Sequence, residues 1–66
     1  MKKRSVLVSG HPTSVTLEDE FWDALKVIAE RRGQSLNQII TDIDAGRSGT
    51  NLSSAIRVFV LKQKGD

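Results

Sequence analysis

Residues 29–40, AERRGQSLNQII, stop one helix and start another within three residues, and no other part of the chain constrains the fold as tightly. On the N-terminal side of this junction Phe21, Leu25 and Ile28 recur at i, i+4 and i+7. Ala24 and Ala29 widen the stripe and Trp22 flanks it, so residues 18–32 form an amphipathic helix. Glu18, Asp19 and Glu20 complement the helix dipole at its start, as Arg31 and Arg32 do at its end, and Gly33 is placed to close it in a left-handed cap. On the other side Ser35 is a good N-cap. Leu36, Ile39, Ile40 and Ile43 then repeat the helical spacing up to about Ala45, where Gly46 ends it.

Upstream, residues 13–17 (TSVTL) alternate. Thr13, Val15 and Leu17 share one face, Ser14 and Thr16 the other, which predicts a short half-buried strand. Residues 3–9 are compatible with an extended chain and carry a weak strand signal around Val6 and Val8. Gly10, His11 and Pro12 read as a turn, with Pro12 steering His11 away from helical geometry. Downstream, residues 47–51 form a loop, and Thr50 or Asn51 can cap a third element from Leu52 to about Lys62. Its β-branched content suits a strand, whereas the cap and the spacing of Leu52, Ile56 and Phe59 suit a helix, the preferred reading. In either form it is apolar nearly all round, interrupted by Arg57, and demands cover.

Composition narrows the function. With 66 residues the chain is one small domain, and such a chain buries only about 60% of its unfolded surface. It has no Cys and a single His, His11, so disulfides, thiolate metal sites and multi-His sites within one chain are excluded, and oligomerisation becomes the leading source of further core. Ten Lys and Arg against eight Asp and Glu give a net charge of +2, which permits nucleic-acid binding without demanding it. The acidic residues Glu18, Asp19, Glu20 and Asp23 read as helix-start electrostatics. They lack the pocket and the orienting base that catalysis needs, and there is no glycine-rich phosphate loop or nucleophile constellation. The expectation is a protein that is not an enzyme and needs neither cofactor nor metal. The longest apolar run near the start, Val6 to Val8, is too short for a secretory signal, and no stretch suits a membrane span, so the expected compartment is the cytoplasm.

The order strand, helix, Gly-x-Ser turn, helix in residues 14–43, SVTLEDEFWDALKVIAERRGQSLNQIITDI, resembles the ribbon-helix-helix superfamily of Arc- and methionine-repressor-like proteins. GHPTSVTLEDEFW and NLSSAIRVFVL extend the resemblance to a compact bacterial ribbon-helix-helix subfamily. The resemblance implies a mainly α fold with a short N-terminal β-strand, assembled as an intertwined dimer with an additional C-terminal helix at residues 52–62. It also implies a homodimeric DNA-binding transcription regulator or repressor that inserts a two-stranded ribbon into the major groove of duplex DNA. Pro12, Ser14 and Thr16 then match the base-facing strand positions. The start of the second helix at Ser35, Leu36 and Asn37 matches a phosphate clamp, and Lys2, Lys3 and Arg4 would act as a flexible basic arm within residues 1–4. The shared dimer core would hold Val15, Leu17, Phe21, Trp22, Leu25, Ile28, Leu36, Ile39, Ile40, Ile43, Ile56 and Phe59. The outward strand face offers two hydroxyls and a proline where tight DNA readers carry Arg, Lys, Asn or Gln. An alternative is therefore a dimeric protein-interaction module, or an antitoxin-like protein, that keeps the fold without DNA readout and docks a protein on its apolar C-terminal element.

Overall fold

The computed structural model describes residues 2–47 and 49–64, the last of them by its backbone alone. Met1 of the expected arm, Ser48 of the expected loop and the last two residues of the expected domain lie outside the described residues. Two strands, β1 (Lys2–Val8) and β2 (His11–Leu17), are followed by three helices, α1 (Asp19–Arg32), α2 (Leu36–Gly46) and α3 (Leu52–Lys64).

The strands form an antiparallel hairpin in which Val8 pairs with His11 and Lys2 with Leu17. The connection is Ser9-Gly10, not the expected Gly10-His11-Pro12. Both residues have positive φ, 51° and 79°, the backbone of a type I′ turn, whose twist matches that of the flanking strands. His11 and Pro12 are strand residues. The expected flexible arm is likewise corrected: Lys2, Lys3 and Arg4 pair with Leu17, Thr16 and Val15. The weak strand signal at Val6 and Val8 marked a full strand whose inward side chains are both buried. The ribbon is thus complete within one chain.

Pro12 fits because of the ladder's alternation. The N–H groups of Leu7 and Thr16 point away from the partner strand, to the side chains of Asn37 and Ser53, so Leu7↔Pro12 and Lys3↔Thr16 are pairs without ladder bonds between them. Pro12 sits where no donor to β1 is needed.

The helix junction follows the sequence closely. Gly33 adopts the left-handed conformation at φ 67°. Its N–H donates to the Glu30 carbonyl (3.1 Å) and that of Gln34 to the Ala29 carbonyl (3.0 Å), a Schellman ending. Ser35 Oγ accepts the Gln38 N–H at 3.1 Å to begin α2. The Gln34 and Gln38 amides both donate to the Asp42 carboxylate, at 2.8 and 3.0 Å, tying the junction to the middle of α2. Residues 52–64 are helical, as preferred. Asn51 Oδ1 caps the first turn by accepting the Ser54 N–H at 2.8 Å, and Ile56 and Val60 bring one stripe into the core.

The core lies between the hairpin's inner face and all three helices. Val6, Val8, Val15 and Leu17 meet Leu25 and Ala29 of α1, Ile39, Ile40 and Ile43 of α2, and Ile56 and Val60 of α3. Phe21, Trp22, Ile28, Leu36 and Phe59 pack against it half-buried. Every residue expected in a core shared by two chains therefore already packs inside one. Leu17, Leu25, Ile39, Ile40 and Ile56 have no exposed surface at all.

The turn conformation has a measurable cost for any side chain. Gly10→Ala meets no neighbouring atom but must hold φ near 79°, so it should lower stability by about 1 kcal/mol. Gly46→Ala, at the end of α2 in open space, should leave stability unchanged or raise it by up to about 1 kcal/mol. Urea denaturation of the two variants beside the unsubstituted chain checks the contrast.

Candidate nucleic-acid interface

Because directly paired residues of an antiparallel ribbon share a face, the register defines the outward surface. Val6 and Val15 are buried, so the opposite face carries Lys3 with Thr16, Ser5 with Ser14, and Leu7 with Pro12. All six are exposed, Leu7 at 45%. The three expected base-facing residues, Pro12, Ser14 and Thr16, thus lie together on one solvent-facing surface. The sequence reading missed the half of this surface that β1 supplies, which includes its cation, Lys3. The signal was present in the alternation of Lys3, Ser5 and Leu7 against Arg4, Val6 and Val8, but it was weakened by the run Val6-Leu7-Val8.

The three expected arm cations divide by strand parity. Lys3 faces outward. Lys2 lies on the inner side at the hairpin's open end and is exposed there. Arg4 turns inward: its guanidinium donates to Asp19 Oδ1 at 3.2 Å and lies 4.6 Å from the centroid of the Trp22 ring. Arg4 is thereby removed from the solvent-facing basic set and fastens the ribbon to α1, and Trp22 is half-buried beneath it.

The start of α2 lies beside the ribbon. Asn37 Oδ1 accepts the Leu7 N–H at 3.2 Å, and Thr41 Oγ1, one turn on, accepts the Ser9 N–H at 3.1 Å. Ser35, Leu36 and Asn37 are therefore held against the edge of β1. Ser35 and Asn37 are exposed and Leu36 half-buried. The Ser35 hydroxyl and the Asn37 carbonyl have structural partners, which leaves the first-turn N–H groups and the helix dipole as the anion-attracting elements.

The opposite edge is held by α3. Ser53 Oγ accepts the Thr16 N–H at 3.2 Å, and the Arg57 guanidinium donates to the Thr16 carbonyl at 3.4 Å and to Glu18 Oε1 at 2.9 Å. Hydrogen bonds from the backbone and from Arg57 hold the Glu18 carboxyl below its ordinary value of 4.5. At the far end of α1, Arg32 lies 5.3 Å from the Phe59 ring centroid. Among the described residues no three His, Cys, Asp or Glu side chains gather as metal ligands, and no helix is long and apolar enough to cross a membrane.

A two-stranded ribbon backed by two helices joined through a tight turn, with a third helix behind, is the ribbon-helix-helix arrangement. A family model for the ribbon-helix-helix domain matches residues 1–64, and the chain belongs to that family. Its members are typically DNA-binding transcription regulators, and the fold is not an enzymatic one. No curated protein and no solved structure matches the chain.

The lowered Glu18 pKa fixes the sign of a pH effect. A carboxyl whose folded-state value is depressed contributes stability that is complete above 4.5 and is lost as pH falls through the lowered value. Glu18→Gln should therefore destabilise the chain at neutral pH, with the difference shrinking in acid. Urea midpoints measured from about pH 3 to pH 7 for both proteins check this.

Proposed function

We propose that the protein is a homodimeric transcription repressor acting in the bacterial cytoplasm, which binds duplex DNA by laying the outer face of its own hairpin into the major groove. The observation that carries this reading is the continuous exposed surface of Lys3, Ser5, Ser14 and Thr16 on a ribbon two strands wide. Strands about 4.8 Å apart fit a groove about 12 Å wide. Lys3 would reach guanine acceptors, the three hydroxyls would donate or accept at base edges, and Leu7 with Pro12 would pack on thymine methyl groups. Lys2 and the N–H groups at Ser35, Leu36 and Asn37 would hold flanking phosphates. Hydroxyls discriminate weakly between bases, so backbone contacts and Lys3 carry most of the affinity.

A second reading is supported by α3, where Val58 and Leu61 are 49% and 58% exposed beside an open groove of about 490 Å³ floored by Ile39, Ile43 and Phe59. Such a surface suits a protein partner and fits an interaction module of the same fold.

Fluorescence anisotropy of a labelled mixed-sequence duplex, titrated at several salt concentrations, separates the two. DNA binding should weaken linearly on a log–log salt plot, and Lys2→Ala, which removes a phosphate contact, should lower the slope by about one unit. Ser14→Asp, which puts a carboxylate in the middle of the exposed face, should weaken binding roughly tenfold or more. Absence of binding even at low salt would remove the DNA reading and leave the interaction module.

A further inference from the structure

The open groove of about 490 Å³ beside α3 has an apolar floor of Ile39, Ile43 and Phe59. Its α3 wall is apolar as well, with Ala55 half-buried and Val58 49% exposed. Its rim is charged: Arg32, Arg47 and Lys62 stand there against one carboxylate, Asp42. That carboxylate is already occupied, since its two oxygens accept the Gln34 and Gln38 amides at 2.8 and 3.0 Å. Arg47 is engaged too, donating to Asp44 Oδ1 at 2.6 Å and to the Thr50 carbonyl at 2.7 Å. Arg32 and Lys62 differ from it. Both are exposed, and the ion pairs among the described residues, Arg4–Asp19, Arg47–Asp44 and Arg57–Glu18, use neither. Arg32 lies 5.3 Å from the Phe59 ring centroid, so one of these two cations stands directly beside the apolar floor.

We infer that this groove is a binding site for a small apolar anion, an alkyl or aryl carboxylate, whose body lies on Ile39, Ile43 and Phe59 and whose acidic group is held at the rim by Arg32 and Lys62. Small-molecule sites are concave and mostly apolar, carry a few polar groups that fix orientation, and have volumes of about 300–1,000 Å³. The groove has that size and that make-up. The floor supplies affinity through the apolar area removed from water. The rim selects by charge: an anion is attracted there, and a cation of the same shape is repelled. Arg32 adds a planar fork of donors, the geometry that suits a carboxylate. The inference goes beyond both readings of function. It gives the groove a small molecule in place of a protein, and it stands whether or not the ribbon binds DNA.

Fluorescence titration of the full chain with anilinonaphthalene sulfonate, an aromatic anion that brightens on leaving water, tests it. Uncharged phenylnaphthylamine serves as the same body without the charge. The sulfonate should bind, decanoate should displace it, and decylammonium at the same concentration should not. Lys62→Glu and Arg32→Gln should each weaken sulfonate binding, the first roughly fivefold or more, and leave phenylnaphthylamine binding unchanged. Val58→Asp, on the apolar wall, should weaken both probes. Circular dichroism spectra matching that of the unsubstituted chain establish that the variants are folded. Absence of sulfonate binding would overturn the inference and leave the groove to the protein partner of the second reading. Binding indifferent to both charge variants, or displaced equally by decylammonium, would overturn it too. So would binding that rises as the chain is diluted, the sign of a second copy seated on the groove. The DNA titration is independent: its failure removes the DNA reading and leaves this site standing.

Discussion

A two-stranded ribbon has two open edges, and every backbone group on them must find a partner or face water. In this chain side chains from the helices meet that requirement at the turn end of β1 and at Thr16 of β2. Asn37 and Thr41 of α2 hold the β1 side and the turn, and Ser53 and Arg57 of α3 hold the β2 edge at Thr16. These bonds fix how the helices sit relative to the ribbon, while the apolar contacts beneath supply the bulk of the stabilisation. Pro12 belongs to the same solution, since it removes a donor at one outward position of β2.

The basic residues divide along the same lines. Arg4, Arg32, Arg47 and Arg57 are engaged within the chain, on Asp19 and Trp22, on Phe59, on Asp44, and on Glu18 with Thr16 respectively. Lys3 stands on the outer ribbon face. The net charge of +2 therefore says little about the surface a polyanion would meet. What matters is the parity of the strand, which sends Arg4 inward and Lys3 outward one residue apart.

The division of roles between faces makes the fold economical for its size. One face of the hairpin closes the core and the other stays polar. α1 gives its buried stripe, Leu25 and Ala29, to that core and leaves Glu20, Val27 and Arg31 exposed on its flank. α3, which reads as apolar nearly all round in isolation, buries Ile56 and Val60, half-buries Phe59 on Arg32, and leaves Val58 and Leu61 in the open.

The sequence by itself determined the helices and their junction, because caps and apolar spacing are local: Gly33, Ser35 and Asn51 act on the residues beside them, and the predicted boundaries of α1 and α2 hold to within a residue or so. It also determined the two faces of β2, since period-two alternation is a property of the strand alone. The tertiary structure decided which strand β2 pairs with. A type I′ turn at Ser9-Gly10 carries a weaker signal than Gly-His-Pro, and the run Val6-Leu7-Val8 hides its alternation, so β1 became visible as a strand only when α2 and β2 lay on either side of it. That pairing set the rest of the candidate site, Lys3, Ser5 and Leu7 on the surface and Arg4 beneath it, because a side chain's face is fixed only once its strand has a partner and a core to turn toward.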